Sequence, residues 1–106
     1  MRIGHFWEHW KDEQGRPAGG VSSGHGFTIS WQNGPLGRGS ERREPNGAFV
    51  EDVILACQER LRFYQESGFE CEENDIAIQH LHEALETLDA RTKRREQAGV
   101  EGTYQK

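Results

Sequence analysis

Glycine and proline are shared very unevenly along this chain. All three prolines and nine of the thirteen glycines lie in residues 1–45, whereas residues 46–98 hold two glycines and no proline. Glycine and proline interrupt regular structure, so the division separates a β-and-loop region, 1–45, from a helical region with a C-terminal tail, 46–106. With 106 residues in all, the two regions together make one small α+β domain, an antiparallel β region followed by a helical hairpin.

Within the first region, Phe27-Thr28-Ile29-Ser30-Trp31-Gln32 alternates large apolar with polar residues, which places Phe27, Ile29 and Trp31 on one face of a strand that Asn33-Gly34-Pro35 ends. Arg2 to Trp10 is a second candidate strand. It would carry Phe6, Glu8 and Trp10 on one side and Ile3, His5, Trp7 and His9 on the other, with Gly15-Arg16-Pro17 or Gly19-Gly20 reversing the chain.

From Asn46, a residue type suited to cap a helix, Val50, Val53, Ile54, Cys57, Leu61 and Tyr64 recur at spacings of three and four, predicting an amphipathic helix over about 48–66. A second pattern runs through Ala77, Leu81, Ala84, Leu85 and Leu88 into Arg91-Thr92-Lys93-Arg94-Arg95, with Gly99 placed to end it. The short connection implies an antiparallel pair.

Leu, Ile, Val and Phe together number 20, close to the composition at which chains stop folding, but they are concentrated in these periodic segments. A folded chain with a thin core is expected, completed by association into a homo-oligomer; composition does not choose between a dimer and a hexamer. The formal charge of −5 argues against binding a nucleic-acid polymer, which needs an excess of Lys and Arg. No stretch approaches a membrane span or a signal peptide, and Cys57 and Cys71 read as free thiols of a reducing, intracellular compartment.

His5-Phe6-Trp7-Glu8-His9 matches H-x-x-E-H, the spacing at which two imidazoles on a helix bind zinc while the glutamate activates water. On a strand, however, the two histidines would stand ~13 Å apart, too far to share an ion. His80 and His82 fall on different faces of a helix, and His25 sits in a Gly-His-Gly loop. The loop Gly34 to Ser40 is glycine-rich but lacks the Lys-Ser/Thr ending of a nucleotide-cradling loop; its Arg38, with Arg42 and Arg43 close behind, suits a phosphate ligand or plain solvation. Arg91 lies three residues beyond Leu88, near the apolar seam, where a purely solvated charge is less expected.

In an antiparallel hairpin Tyr64 and Asn74 meet across the turn. Arg91, 17 positions beyond Asn74, is ~25 Å away along the helix. If the three share one small ligand, it binds between copies, with Tyr64 stacking on a purine, Asn74 reading the base edge and Arg91 from another copy covering the other face. Read alone, Tyr64 fits equally well as a core residue and Asn74 as a helix cap.

Three segments resemble one family: Asn33-Gly34-Pro35 through Asn46-Gly47-Ala48, Glu51-Asp52-Val53-Ile54 through Arg60-Leu61-Arg62-Phe63-Tyr64-Gln65, and the closing Arg91 to Thr103, which reads RTxxREQxGVEGT. The chain is similar, over roughly residues 26–104, to the first-type Thoeris anti-defence family of phage-encoded sponges. The resemblance implies a non-enzymatic protein without metal or cofactor, acting in the host cytoplasm. Such a protein sequesters glycocyclic ADP-ribose, the signal made by bacterial TIR-domain sensors, and holds it intact. It also implies a hairpin like that of a CBASS sponge, with a second site for cyclic di- or trinucleotides in some members. Carried over residue by residue, the stacking aromatic falls on Tyr64, where the family usually has Phe and where Phe63 stands adjacent. The base-reading polar residue falls on Asn74 and the stacking arginine on Arg91, with Arg38, Arg42 and Arg43 competing for a phosphate contact. Two other readings stand beside it: a metal-dependent hydrolase of the messenger using His5, Glu8 and His9, and a module that docks on a host protein.

Overall fold

The structure, a computed structural model, describes residues 4–106 and has the α+β order expected: three strands, then two helices. It divides into two compact units, the first running through Phe49 and taking in Val100–Lys106, the second comprising Val50–Gly99. The tail 100–106 thus groups by contact with the β region rather than with the helices it follows in sequence.

The first unit is built on an antiparallel sheet of β1 (Phe6–Lys11), β2 (Pro17–Gly24) and β3 (Phe27–Trp31), in that order. β3 matches the alternating segment. β1 begins at Phe6, so the expected strand is shorter at its start, and Arg2 and Ile3 lie outside the described residues. The strand over Pro17–Gly24 was not anticipated, because Ala18, Gly19, Gly20, Ser22 and Ser23 have low strand propensity. Its small residues are required by closeness instead. Gly20 is buried with φ 149°, and a Cβ there would stand 2.5 Å from the Glu8 carbonyl oxygen of the neighbouring strand.

Chain reversal between β1 and β2 is made around Gly15-Arg16, while Gly19-Gly20 runs inside β2. Asp12 organises this turn. Its Oδ1 accepts the backbone N–H of Gln14 and of Arg16, each at 2.9 Å, and its Oδ2 accepts Arg16 Nε at 2.8 Å. These donors, the Arg16 backbone N–H first, hold the Asp12 carboxyl below the usual carboxylate range.

After β3 the chain is tied back on itself by amides. Gln32 Oε1 accepts the backbone N–H of Asn46 (2.9 Å) and Gly47 (3.2 Å), and Asn46 Oδ1 accepts Asn33 N–H at 2.8 Å. Asn46 is therefore a loop clamp and not the cap of the following helix, which starts at Val50. Ala48 then forms a parallel bridge with Trp31. The C-terminal tail closes the unit: Gly37 N–H donates to the Gly102 carbonyl (2.9 Å), and Arg16 lies 3.9 Å over the Tyr104 ring.

The second unit is an antiparallel pair, α1 (Val50–Glu66) and α2 (Glu72–Gln97). α2 ends as expected, with Gly99 at φ 73° beyond the Ala98 cap. The facing residues Val53, Ile54 and Leu61 of α1, and Ile78, Leu81, Leu85 and Leu88 of α2, are only half-buried, since two helices can cover each other on one side alone. No apolar side chain among the described residues is fully buried; the seam's most buried side chain is polar Gln58, 3% exposed, whose Nε2 reaches the Ile78 carbonyl at 3.4 Å. Cys57, expected on the apolar face, is exposed, and both cysteines are free thiols. No helix is long and apolar enough to cross a membrane among the described residues.

Candidate ligand-binding site

The last two turns of α1 carry Arg60, Phe63, Tyr64 and Gln65. Arg60 and Tyr64 are one helical turn apart, the spacing at which side chains meet. Arg60 Nε donates to the Tyr64 hydroxyl at 3.3 Å, and its guanidinium lies 4.9 Å from the Phe63 ring and 5.0 Å from the Tyr64 ring. The two rings stand 6.1 Å apart and tilted, half of Phe63 open to solvent. The result is a small aromatic platform with a cation fixed at its edge. The Tyr64 carbonyl closes the turn by accepting the N–H of Ser67 (3.2 Å) and of Phe69 (3.3 Å).

Gln65 connects this platform to α2. Its Oε1 accepts Cys71 N–H at 3.1 Å and Asn74 Nδ2 at 3.0 Å, while its Nε2 donates to the Cys71 carbonyl at 3.0 Å and to Asp75 Oδ1 at 2.8 Å. Four bonds exhaust the capacity of a glutamine side chain. Asn74 is half-buried in the first turn of α2, one turn inside the Cys71 cap, so it does not cap the helix. Tyr64 and Asn74 thus come to the same end of the hairpin, with Gln65, next to Tyr64 in the chain, bonded to the Asn74 side-chain amide.

Arg91 is on the same unbroken helix as Asn74, 17 positions later or ~25 Å along the axis. Its side chain is exposed and makes no ion pair or hydrogen bond with the described residues, unlike Lys93, which pairs with Asp89 at 3.0 Å. A single hairpin therefore does not bring Arg91 to the Tyr64–Asn74 end.

The loop arginines belong to the first unit. Arg38 Nη1 donates to the Glu101 carbonyl at 2.9 Å and Arg43 Nη2 to the Pro35 carbonyl at 2.6 Å, so both have structural tasks. Arg42 is exposed, and its guanidinium is uncommitted among the described residues. Beside them lies an open hollow of about 480 Å³ lined by Gly34, Pro35, Glu41, Arg43, Asn46 and Tyr104 among others.

In the H-x-x-E-H segment, Phe6 to His9 lie in strand β1 and His5 immediately precedes it, so the two histidines are not on a helix. Successive side chains on β1 alternate faces, which sets Glu8 and His9 on opposite sides of the sheet. Glu8 Oε1 accepts Trp10 Nε1 at 2.9 Å, and His5 packs edge-on against Trp7 at 5.1 Å. His80 and His82 pair with Glu83 and Glu86 along the exposed side of α2. Among the described residues no group of three His, Cys, Asp or Glu side chains is placed to hold a metal ion.

Two residues of the hairpin end escaped sequence reasoning, Arg60 and Gln65. The first had a readable signal in its four-residue spacing from Tyr64. The second had none, because its four partners lie across the turn.

Residues 24–93 match the Acb2/Tad1 hairpin domain. The chain is also 44% identical over 79 residues to "Thoeris anti-defense 1" of Bacillus phage SBSphiJ7, an alignment that spans 74% of this chain and 53%, about half, of that relative's length. The matched stretch takes in β3, the linker and the whole hairpin end, and on that ground the chain belongs to the Acb2/Tad1 hairpin-domain family.

Proposed function

We propose that this protein is a phage anti-defence protein that counters Thoeris immunity in the host cytoplasm, by capturing glycocyclic ADP-ribose and holding it chemically unchanged. The observation that carries the reading is the hairpin end. An aromatic platform and an amide with a free acceptor lie at the same end of the hairpin, in a chain akin to a Thoeris anti-defence protein. Tyr64 stacks on the purine and Asn74 reads its edge.

The third contact comes from a second copy. Arg91 of one subunit completes the crevice that Tyr64 and Asn74 of another begin, because ~25 Å separates them within one helix. Association is favoured on independent grounds: Phe63 (50% exposed), Ile76 (49%) and Leu55 (45%) leave the hairpin's apolar surface uncovered, and covering the remaining half of each such side chain contributes about 1 kcal/mol. Capture without turnover requires nanomolar binding, ~12 kcal/mol, which a ligand enclosed between subunits can reach. Of the loop arginines Arg42 is the one free for a phosphate contact, which also suits a second site for cyclic di- or trinucleotides.

The test mixes variants. Asn74→Ala and Arg91→Ala each weaken messenger binding by about 1.5–3 kcal/mol, read by calorimetry. Mixed, they regain a fraction of full-strength sites, and heat denaturation of the loaded protein releases intact ligand. A cleaved product, or mixed variants that never recover, overturns the reading.

A further inference from the structure

We infer that Gln65 is a positioning residue that sets base specificity by fixing which way the Asn74 amide faces; this rests on the messenger reading above. Gln65 has no freedom to turn over. Its Oε1 must face Cys71 N–H, which can only donate, and its Nε2 must face the Cys71 carbonyl and the Asp75 carboxylate, which can only accept. Asn74 is then fixed in turn. Its Nδ2 donates to Gln65 Oε1 at 3.0 Å, whereas the reversed amide would oppose two carbonyl oxygens. Asn74 Oδ1 is left without a partner among the described residues, an acceptor waiting for a donor on the ligand.

A base that offers an exocyclic amine at that point, as adenine does, is accepted. Its hypoxanthine counterpart, with an oxygen in the same place, sets acceptor against acceptor and can bind well only if the Asn74 amide turns over, which Gln65 prevents. The chemical class selected is therefore an amino-purine.

The probes are glycocyclic ADP-ribose and its hypoxanthine counterpart, titrated by calorimetry. The wild-type protein is expected to favour the amino form by about tenfold or more. Gln65→Met, which keeps the length of the side chain and removes all four bonds, lets the Asn74 amide turn and brings that preference to about twofold or less. Q65E combined with D75N restores three of the four contacts with donor and acceptor exchanged between positions 65 and 75, leaving only the Cys71 carbonyl facing an oxygen; it keeps Asn74 Nδ2 facing an acceptor and retains the preference. A preference undiminished in Q65M, or one lost in the folded double variant, overturns the role of Gln65 while leaving the messenger reading in place. Equal binding of both probes by the wild type likewise overturns it. Binding of neither probe by the wild type overturns the messenger reading and the specificity assignment together.

Discussion

The two units of this chain are ordered by different means. In the first, main chain approaches main chain so closely that only glycine fits, as at Gly20 beside Glu8 and at Gly102, where a Cβ would meet the Gly37 carbonyl at 2.5 Å. In the second, Gly68 and Gly99 have no such neighbour, and the joining falls to long side-chain amides, Gln58 in the seam and Gln65 at the turn, a device the first unit adds only in its loop, at Gln32 and Asn46. Neither unit fully buries an apolar side chain among the described residues. A chain poor in large apolar residues can therefore still specify a fold, provided polar groups are satisfied locally, by backbone in one place and by amides in another.

The sharpest way to break this contrast is Gly20→Val. It combines a backbone clash with a φ that L-residues rarely adopt, and is expected to destabilise the sheet by about 3 kcal/mol or more, seen as lost amide protection across β1, β2 and β3. Gln58→Ala removes a nearly buried amide from the helical seam and costs about 2 kcal/mol in denaturant unfolding; Gln58→Met, which keeps the volume, recovers part of that. The smallest effect is at the β1–β2 turn. Because the folded Asp12 carboxyl titrates below its unfolded value, its support is present above the usual carboxylate range and fades as pH falls through the lower, folded value. Amide exchange at Gln14 and Arg16 is predicted to rise selectively in that acid window, and Asp12→Asn to remove the pH dependence.

How far the sequence could be read follows the same divide. The helices were legible because Val50 to Tyr64 and Ala77 to Leu88 repeat every three or four residues, a pattern set by the helix itself. β3 was legible from Phe27, Ile29 and Trp31. β2 was not, because Pro17–Gly24 is chosen for smallness beside its neighbours and has none of the residues that favour strands apart from Val21. Asn46 misled for a similar reason. A residue suited to capping serves equally well as a clamp on Asn33, and only the three-dimensional path of the loop decides. Of the hairpin end, Tyr64 and Asn74 could be placed by topology, while the amide that joins them depends on contacts between residues six to ten positions apart.

The uninterrupted run of α2 over 26 residues makes it a stiff rod. In such a rod, phase is far more sensitive than length: deleting one residue shortens it by ~1.5 Å but rotates everything beyond by about 100°. Residues toward either end are consequently gauged by angle, and drift in sequence between them is tolerated only as substitution. An added or missing residue would swing Arg91 a quarter-turn or more around the axis while barely changing how far it reaches.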